Sequence, residues 1–323
     1  MSAAGMEYRP LGRCGTKVSV LGLGGWTTFG ASVREFETVR AILATAFEAG
    51  VNFFDTADAY AAGEAERLMG RALSAFPRHE LVISSKCFFP ISEDVNDRGL
   101  SRKHILESVE KSLKRLQVDY LDVYFCHRFD ATTPVEETAR AMDDLVHQGK
   151  TLYWGTSEWT GEQLREAHAI CQVHSLYRPQ VEQPQYSLLA RAKIEKDVRA
   201  TASELGMGLV TWSPLRSGLL TGKYDHGLPP DSRLARIDWL REDLLSEERL
   251  ERVRRFGLLA KEVGVPQAQL AIAWVAAQPG ISSVILGATR VEQLAHNLGA
   301  ASVTFSAEVC RRLDEIFPLE ACR

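Results

Sequence analysis

Between Phe53 and Tyr60 the chain reads FFDTADAY, an apolar run that finishes in two aspartates, a threonine and a phenol. Two further apolar runs close on ionisable residues: LVISSK ends at Lys86, and YLDVYFC is followed by His127. A carboxylate (Asp55), a phenol (Tyr60), an ammonium (Lys86) and an imidazole (His127) are groups from which acid–base sites are assembled. Each also has a plain structural use. Asp55 can cap a turn, Lys86 can snorkel from a sheet edge, His127 can be a satisfied loop histidine, and Tyr60 can pack its ring with a wet hydroxyl. Their joint appearance at the ends of three successive apolar runs points instead to a shared site. Asp55 and Asp58 invite a glycosidase reading, but Lys86 and Tyr60 suit that scheme poorly, and no second carboxylate ends the fourth or seventh run. A metal-dependent hydrolase would gather several histidines at such ends, whereas only His127 is so placed, so no metal is expected. His104, His147, His168 and His174 fall in helical or connecting stretches and are expected to be solvated.

The elements that must position these groups follow from the apolar pattern. Eight short runs with few charges fit strands covered on both faces: 18–22, 51–54, 81–86, 120–126, 151–155, 180–183, 208–212 and 283–286. Helical periodicity lies between them. Phe36, Val39, Leu43, Ala46 and Phe47 share one face, with Gly50 as a left-handed stop. Ile105, Val109, Leu113 and Leu116 repeat the pattern. Thr133, Pro134 and Glu136 read as a capping box with proline at the first helical position, Gly149 closes that helix, and Thr160 with Gln163 opens the next.

Strands alternating with single helices imply parallel pairing through right-handed crossovers, and eight such units close into a barrel. The expected class is α/β, a (β/α)8 TIM barrel over residues 1–323 as one domain, in which strand carboxyl ends carry the chemistry. A doubly wound sheet would show G-x-G-x-x-G after its first strand, but Gly22, Gly24 and Gly25 run directly into Trp26. Segments 8–11 and 17–19 flank Gly12 and Gly15 as a β-hairpin plugging the barrel bottom. The longest gap, 213–282, opens with the irregular SPLRSGLLTGKYDHGLPPDSR before helical periodicity returns near Ser246, and a loop of that length usually covers a ligand.

Composition narrows the function classes. The 323 residues are 45% hydrophobic and 25% charged, ordinary for a soluble globular protein, and the net charge of -4 leaves no footprint for nucleic acid or an anionic membrane. Six scattered cysteines, Cys322 among them, form no C-x-x-C pair and read as reduced thiols of a cytoplasmic protein. The start MSAAGMEYRP lacks a positive stretch followed by an apolar run of roughly 7 to 15 residues. The most apolar stretch, 270–288, is broken by Gln278, Pro279 and Gly280, so no membrane insertion is expected.

FDTADAY, the lysine ending the third run and the CHR ending the fourth resemble the aldo-keto reductase superfamily, over nearly the whole chain. YAAGEAE, GLSRKHI, TPVEETARAM, YWGTSEW, TWSPL, LTGKYDHGLPP and ILGATRVEQL are similar to the branch that contains the β subunits of voltage-gated potassium channels and related bacterial reductases. The resemblance implies that Asp55, Tyr60, Lys86 and His127 are catalytic in a carbonyl reduction. Hydride arriving at a carbonyl carbon leaves charge on the oxygen, which needs a proton donor within about 2.6 to 3.2 Å. Tyr60 would be that general acid. Lys86 would lower its pKa, by about 1 to 3 for a close charge. Asp55 would keep the lysine charged and aimed, and His127 would orient the carbonyl.

The cofactor implied by the resemblance is NADPH (NADP+), extended over the barrel mouth. Ser157 and Gln183 would hold the carboxamide and Trp212 would stack on the nicotinamide, with Trp26, Asp55 and Gly287 among the contacts. Ser213, Leu215, Ser217, Gly218 and Lys223 would run under the pyrophosphate. Arg233, Thr289 and Gln293 would grip the adenosine 2'-phosphate, with Asn297 near the adenine; Thr289, just before a helix, would offer unpaired backbone N–H groups. The alternative is that Trp212 is core and Lys223 a solvated loop charge. Departures from the branch are Glu158, which puts a negative charge beside the carboxamide where relatives carry Asn or Arg, and Gly25, Phe129 and His296. Gln293 offers no cation, so preference for NADPH over NADH rests on Arg233, helped by Arg290.

Trp26, Phe88, Phe89 and Trp159 follow strand ends and would wall a pocket for an aromatic or aliphatic aldehyde or ketone, or else pack loops. The resemblance thus implies an NADPH-dependent aldo-keto reductase of the alcohol dehydrogenase type that acts on CH–OH donors. The other reading is a redox-sensing, nucleotide-binding accessory subunit of a channel or another protein partner. His127, where some channel subunits carry Asn, favours the enzyme, and the short stretch before Tyr8 argues against a pore-blocking peptide. A homo-oligomer, up to a tetramer, is permitted.

Overall fold

A computed structural model of the chain describes residues 5–319, so Cys322 lies outside the described residues; Cys14, Cys87, Cys126, Cys171 and Cys310 are free thiols. An antiparallel hairpin of β1 (Tyr8–Pro10) and β2 (Lys17–Ser19) precedes the barrel. The barrel strands are β3 (Leu21–Gly24), β4 (Phe53–Asp55), β5 (Val82–Cys87), β6 (Leu121–Cys126), β7 (Thr151–Thr156), β8 (Val181–Glu182), β9 (Gly208–Trp212) and β10 (Ile281–Leu286). All pair in parallel, in the closed order β10-β3-β4-β5-β6-β7-β8-β9. The expected strand 18–22 is therefore divided between two structures. Ser19 ends the hairpin, where its Oγ donates to Leu21 O and its N–H to Asn52 Oδ1, and the barrel begins at Leu21.

Successive side chains of a strand face opposite sides, and this parity builds the site. The barrel interior holds Phe53, Val82, Val123, Phe125, Val181, Val210 and Ile285, sealed from below by Leu11 and Val18 of the hairpin. Two residues on from members of this layer come Asp55, Ser84 and then Lys86, His127, Gln183, Trp212 and Gly287. The intervening residues, such as Phe54, Ile83 and Tyr124, face the helices in the outer core. Leu11 and Val18 are fully buried there; burying a side chain of that size stabilises by about 1.5 to 3 kcal/mol, so the plug anchors the base of the site.

The helices are α1 (Phe36–Glu48), α2 (Glu64–Leu73), α3 (Arg102–Leu116), α4 (Val135–His147), α5 (Gly161–Val173), α6 (Arg199–Leu205), α7 (Arg233–Arg236), α8 (Asp238–Leu244), α9 (Glu247–Val263), α10 (Gln267–Ala276), α11 (Val291–Leu298) and α12 (Ala307–Ile316). α1 buries Val39, Ile42, Leu43 and Ala46, and Gly50 follows it at φ 88°. α5 opens with the full Thr160–Gln163 capping box. The box expected at Thr133 does not form: Pro134 is itself the cap of α4, Thr133 Oγ1 donates to Asp130 Oδ2, and Glu136 pairs with Arg140. Ser246 caps α9, where helical periodicity was expected to resume. His147 and His174 lie at the surface, but His104 and His168 are buried rather than solvated. His104 Nδ1 meets Gly99 O at 2.8 Å, and burial pulls His168 down to about 4. Among the described residues no helix is long and apolar enough to cross a membrane.

Candidate active site

At the carboxyl ends of β4 and β5, Lys86 Nζ lies 2.6 Å from Asp55 Oδ2 and donates to Thr56 O at 2.5 Å, with side-chain exposures of 0% and 5% for the pair. Asp55 Oδ1 accepts from Ser84 Oγ at 2.6 Å and from Gln183 Nε2 at 3.0 Å. A buried ion pair persists when its remaining polar atoms are also bonded, and Ser84, Gln183 and Thr56 provide that here. Tyr60 returns over the mouth through the turn after β4, where the Asp58 N–H donates to Lys86 O and the Tyr60 N–H to Ala57 O, and Ala61 and Ala62 follow with left-handed φ values of 49° and 53°. Its hydroxyl is 3.5 Å from His127 Nε2, and the Lys86 Nζ sits 5.1 Å from its ring centroid.

His127 is held by its own N–H on Cys87 O, and its Nδ1 is buried without a partner. Burial, reinforced by the charges of Lys86 and Arg128, keeps the imidazole well below its usual 6.5, hence neutral. Burial also pulls the Lys86 ammonium below its ordinary value, against the opposing pull of Asp55. The phenol departs from expectation. Burial and the charge of Asp55, with a lesser push from Asp58, raise Tyr60 well above 10, opposed only by Arg128. The ammonium hydrogen bonds run to Asp55 and the Thr56 carbonyl rather than to the phenol, so Tyr60 stays protonated throughout the neutral range.

Behind the sheet lies a second polar layer. Asp58, the other aspartate of FDTADAY, accepts from Ser108 Oγ at 2.5 Å, and burial raises it to about 7. Glu66 joins Ser85 Oγ to Arg115 Nε, both at 2.5 Å. Under the loop after β7, Glu182 accepts from Thr156 Oγ1 and from the Trp159 N–H, and burial raises it to about 8.

A cleft of about 790 Å³ crosses the mouth. Asp55, Tyr60 and His127 line it together with Trp26, Ser157, Gln183 and Trp212. Lys86 does not line it; the ammonium is enclosed beneath. Trp212 meets Trp26 edge-on at 5.4 Å. Further along the cleft come Ser213, Leu215, Ser217, Gly218 and Lys223, then Arg233, Gly287, Thr289, Gln293 and Asn297. Ser213, Arg216 and Ser217 hold φ of 59°, 47° and 57°, the kind of turn that presents backbone N–H groups to anions. Gly218 holds φ 87°, a left-handed backbone that favours glycine, and the end of the Lys223 side chain lies against it.

Several expectations are corrected. Glu158, at φ 63°, does not line the cleft, and Lys193 Nζ at 2.8 Å, the Gln185 N–H at 2.5 Å and Trp212 Nε1 at 3.0 Å all meet its carboxylate. Its charge is thus neutralised, and it fixes the Trp212 ring. The Thr289 N–H is not unpaired: Gln293 Oε1 accepts it at 2.9 Å and the Thr289 hydroxyl at 3.1 Å. Phe88 and Trp159 do not wall the cleft; Trp159 is buried against Phe129. Arg128, Arg236 and the exposed Trp239 also line it. For Arg128 the signal was at hand, since it is the last letter of CHR; Arg236 and Trp239 lie in the gap without long periodicity.

Lys223, Arg233, Arg236 and Arg290 gather in the cleft with no ion pair to a carboxylate among the described residues, and burial plus the three guanidiniums pulls Lys223 below its usual value. Crowded, desolvated cations are relieved by a bound anion, and the cleft's length, its tryptophans and this cluster fit a phosphate-bearing dinucleotide. These features define a class: a (β/α)8 barrel with a buried acid–base cluster beneath a long, partly cationic cleft. The model of the Aldo/keto reductase family matches residues 20–317, and the chain belongs to that family of oxidoreductases, which bind NAD(P)H. It is 47% identical over 303 residues to a probable voltage-gated potassium channel subunit beta of Oryza sativa subsp. japonica, covering 92% of each chain. A protein of Arabidopsis thaliana with the same description is 46% identical over 303 residues, again covering 92% of each.

Proposed function

We propose that this protein is a cytoplasmic, NADPH-dependent reductase of aldehydes or ketones. The carrying observation is the placement of a protonated phenol and a neutral imidazole in one cleft, directly above a buried ammonium–carboxylate pair. NADPH would supply the hydride. Ser157 and Gln183 would orient its carboxamide, Trp212 and Trp26 its ring, Ser213 to Lys223 its pyrophosphate, and Arg233 with Arg290 the 2'-phosphate that distinguishes it from NADH. Tyr60, still protonated, donates to the carbonyl oxygen as charge develops there. An alkoxide is a stronger base than a phenolate, so this transfer runs downhill even from a phenol whose pKa is raised. The neutral His127 fixes the same oxygen by a hydrogen bond, and the Lys86 charge beneath steadies the phenolate left behind.

A second reading is favoured by the relatives named as potassium channel β subunits: the nucleotide would report redox state to a partner, with assembly up to a tetramer. Titrating NADPH against the fluorescence of Trp26 and Trp212, then following nicotinamide absorbance with a panel of aldehydes, separates the two. Tight NADPH binding with steady oxidation by aldehydes supports the reductase. Tight binding without any turnover leaves the sensor.

A further inference from the structure

Arg128 ends the CHR motif at the top of β6, half-buried, and lines the cleft at the end where Tyr60 and His127 stand. Of its five N–H donors, one is committed, to His127 O at 2.5 Å, and the guanidinium lies 5.4 Å from the Phe89 ring centroid. Among the described residues no carboxylate pairs with it. It is separate from the cationic cluster: its charge acts on Tyr60, Lys86 and His127, whereas Lys223 responds to Arg233, Arg236 and Arg290. The reacting end of the cleft therefore presents the Phe89 ring and one guanidinium fork without a carboxylate partner, while Trp26 stands further along, with the Arg233 guanidinium 5.7 Å from its ring centroid.

We infer that Arg128 selects carbonyl substrates that carry a carboxylate, the aldehyde lying at Tyr60 and the carboxylate accepting from the guanidinium. A guanidinium matches a carboxylate bidentately, and the partly enclosed cleft strengthens the pair relative to water. The inference rests on the reductase reading and narrows its substrate class to acidic aldehydes and ketones, with aromatic ones suited to the Phe89 ring beside His127.

The test compares kcat/KM for NADPH-dependent reduction of 4-carboxybenzaldehyde and of methyl 4-formylbenzoate, which share ring and aldehyde and differ in charge. The wild type should prefer the acid by about tenfold or more. Arg128→Met should bring the acid-to-ester ratio to near one, and Arg128→Lys should keep part of it, because a point charge remains without the fork. A merely structural role for Arg128 would lower both substrates together and leave the ratio standing. Reduction of the ester with no preference for the acid, or a preference that survives Arg128→Met, overturns this inference and spares the reductase reading. Reduction of neither compound by the wild type overturns both.

Discussion

Replacing Lys86 by Met tests the buried pair on which the site is built. The ammonium donates to Asp55 Oδ2 at 2.6 Å and to Thr56 O at 2.5 Å in an interior with almost no solvent contact. Removing it leaves Asp55 with only the donors from Ser84 and Gln183, and leaves the Thr56 carbonyl without this donor. Stripping one partner from such a pair costs about 3 to 5 kcal/mol, because a charge stays buried without its counter-ion. Replacing both, as Asp55→Asn with Lys86→Met, removes both charges and should cost clearly less than the two single changes summed, a coupling of about 1.5 kcal/mol or more. Denaturant unfolding of the wild type, both single variants and the double variant, followed by tryptophan fluorescence, reads all four corners of the cycle. A Lys86→Met protein within about 1 kcal/mol of the wild type, or a double variant whose loss equals the sum, would refute the reasoning.

Other outcomes follow from the same geometry. Arg233→Met should weaken NADPH binding about 10- to 100-fold while changing NADH binding far less, since a charged phosphate contact contributes about 1.5 to 3 kcal/mol; equal losses in a fluorescence titration would remove Arg233 from the 2'-phosphate site. With His127 held well below 6.5 and Tyr60 well above 10, kcat/KM for reduction should stay flat from about pH 8 to pH 9, above the titration of Asp58 at about 7; an inflection inside that window would assign a different acid. Glu182 is raised by burial from its usual 4.5 to about 8, so the folded state holds a proton there that the unfolded chain releases. The wild type should therefore lose stability relative to Glu182→Gln as pH rises between those values, by about 1.4 kcal/mol per pH unit, and the gap should be constant outside them. Parallel stability curves for the two proteins across that interval would show that Glu182 is not held neutral.

The barrel was legible because strands covered on both faces read as unbroken apolar runs, and Asp55, Lys86 and His127 because each follows such a run. The first strand was misplaced for the same reason: 18–22 is one apolar run across two structures, and the turn between them depends on Ser19 and Asn52, far apart in sequence. Thr133 looked like a helix cap by local spacing, but Asp130 holds its hydroxyl. Buried polar groups such as Asp58, Glu66 and His104 have partners in Ser108, Arg115 and Gly99, which no local pattern reveals. The direction of the Tyr60 shift was hidden as well, since proximity to Lys86 suggested an acidic phenol while burial and Asp55 decide otherwise. The same holds for Glu158, whose charge is met by Lys193 from another element.

The claim that Tyr60 delivers the proton while NADPH reduces a carbonyl is tested most directly by a single turnover. NADPH-loaded wild type and Tyr60→Phe are mixed with an aldehyde and followed at the nicotinamide absorbance, with NADPH affinity measured separately for each. The account predicts rapid bleaching in the wild type, a rate lower by about 100-fold or more in Tyr60→Phe, and equal NADPH affinity. Equal bleaching rates in the two proteins would contradict it.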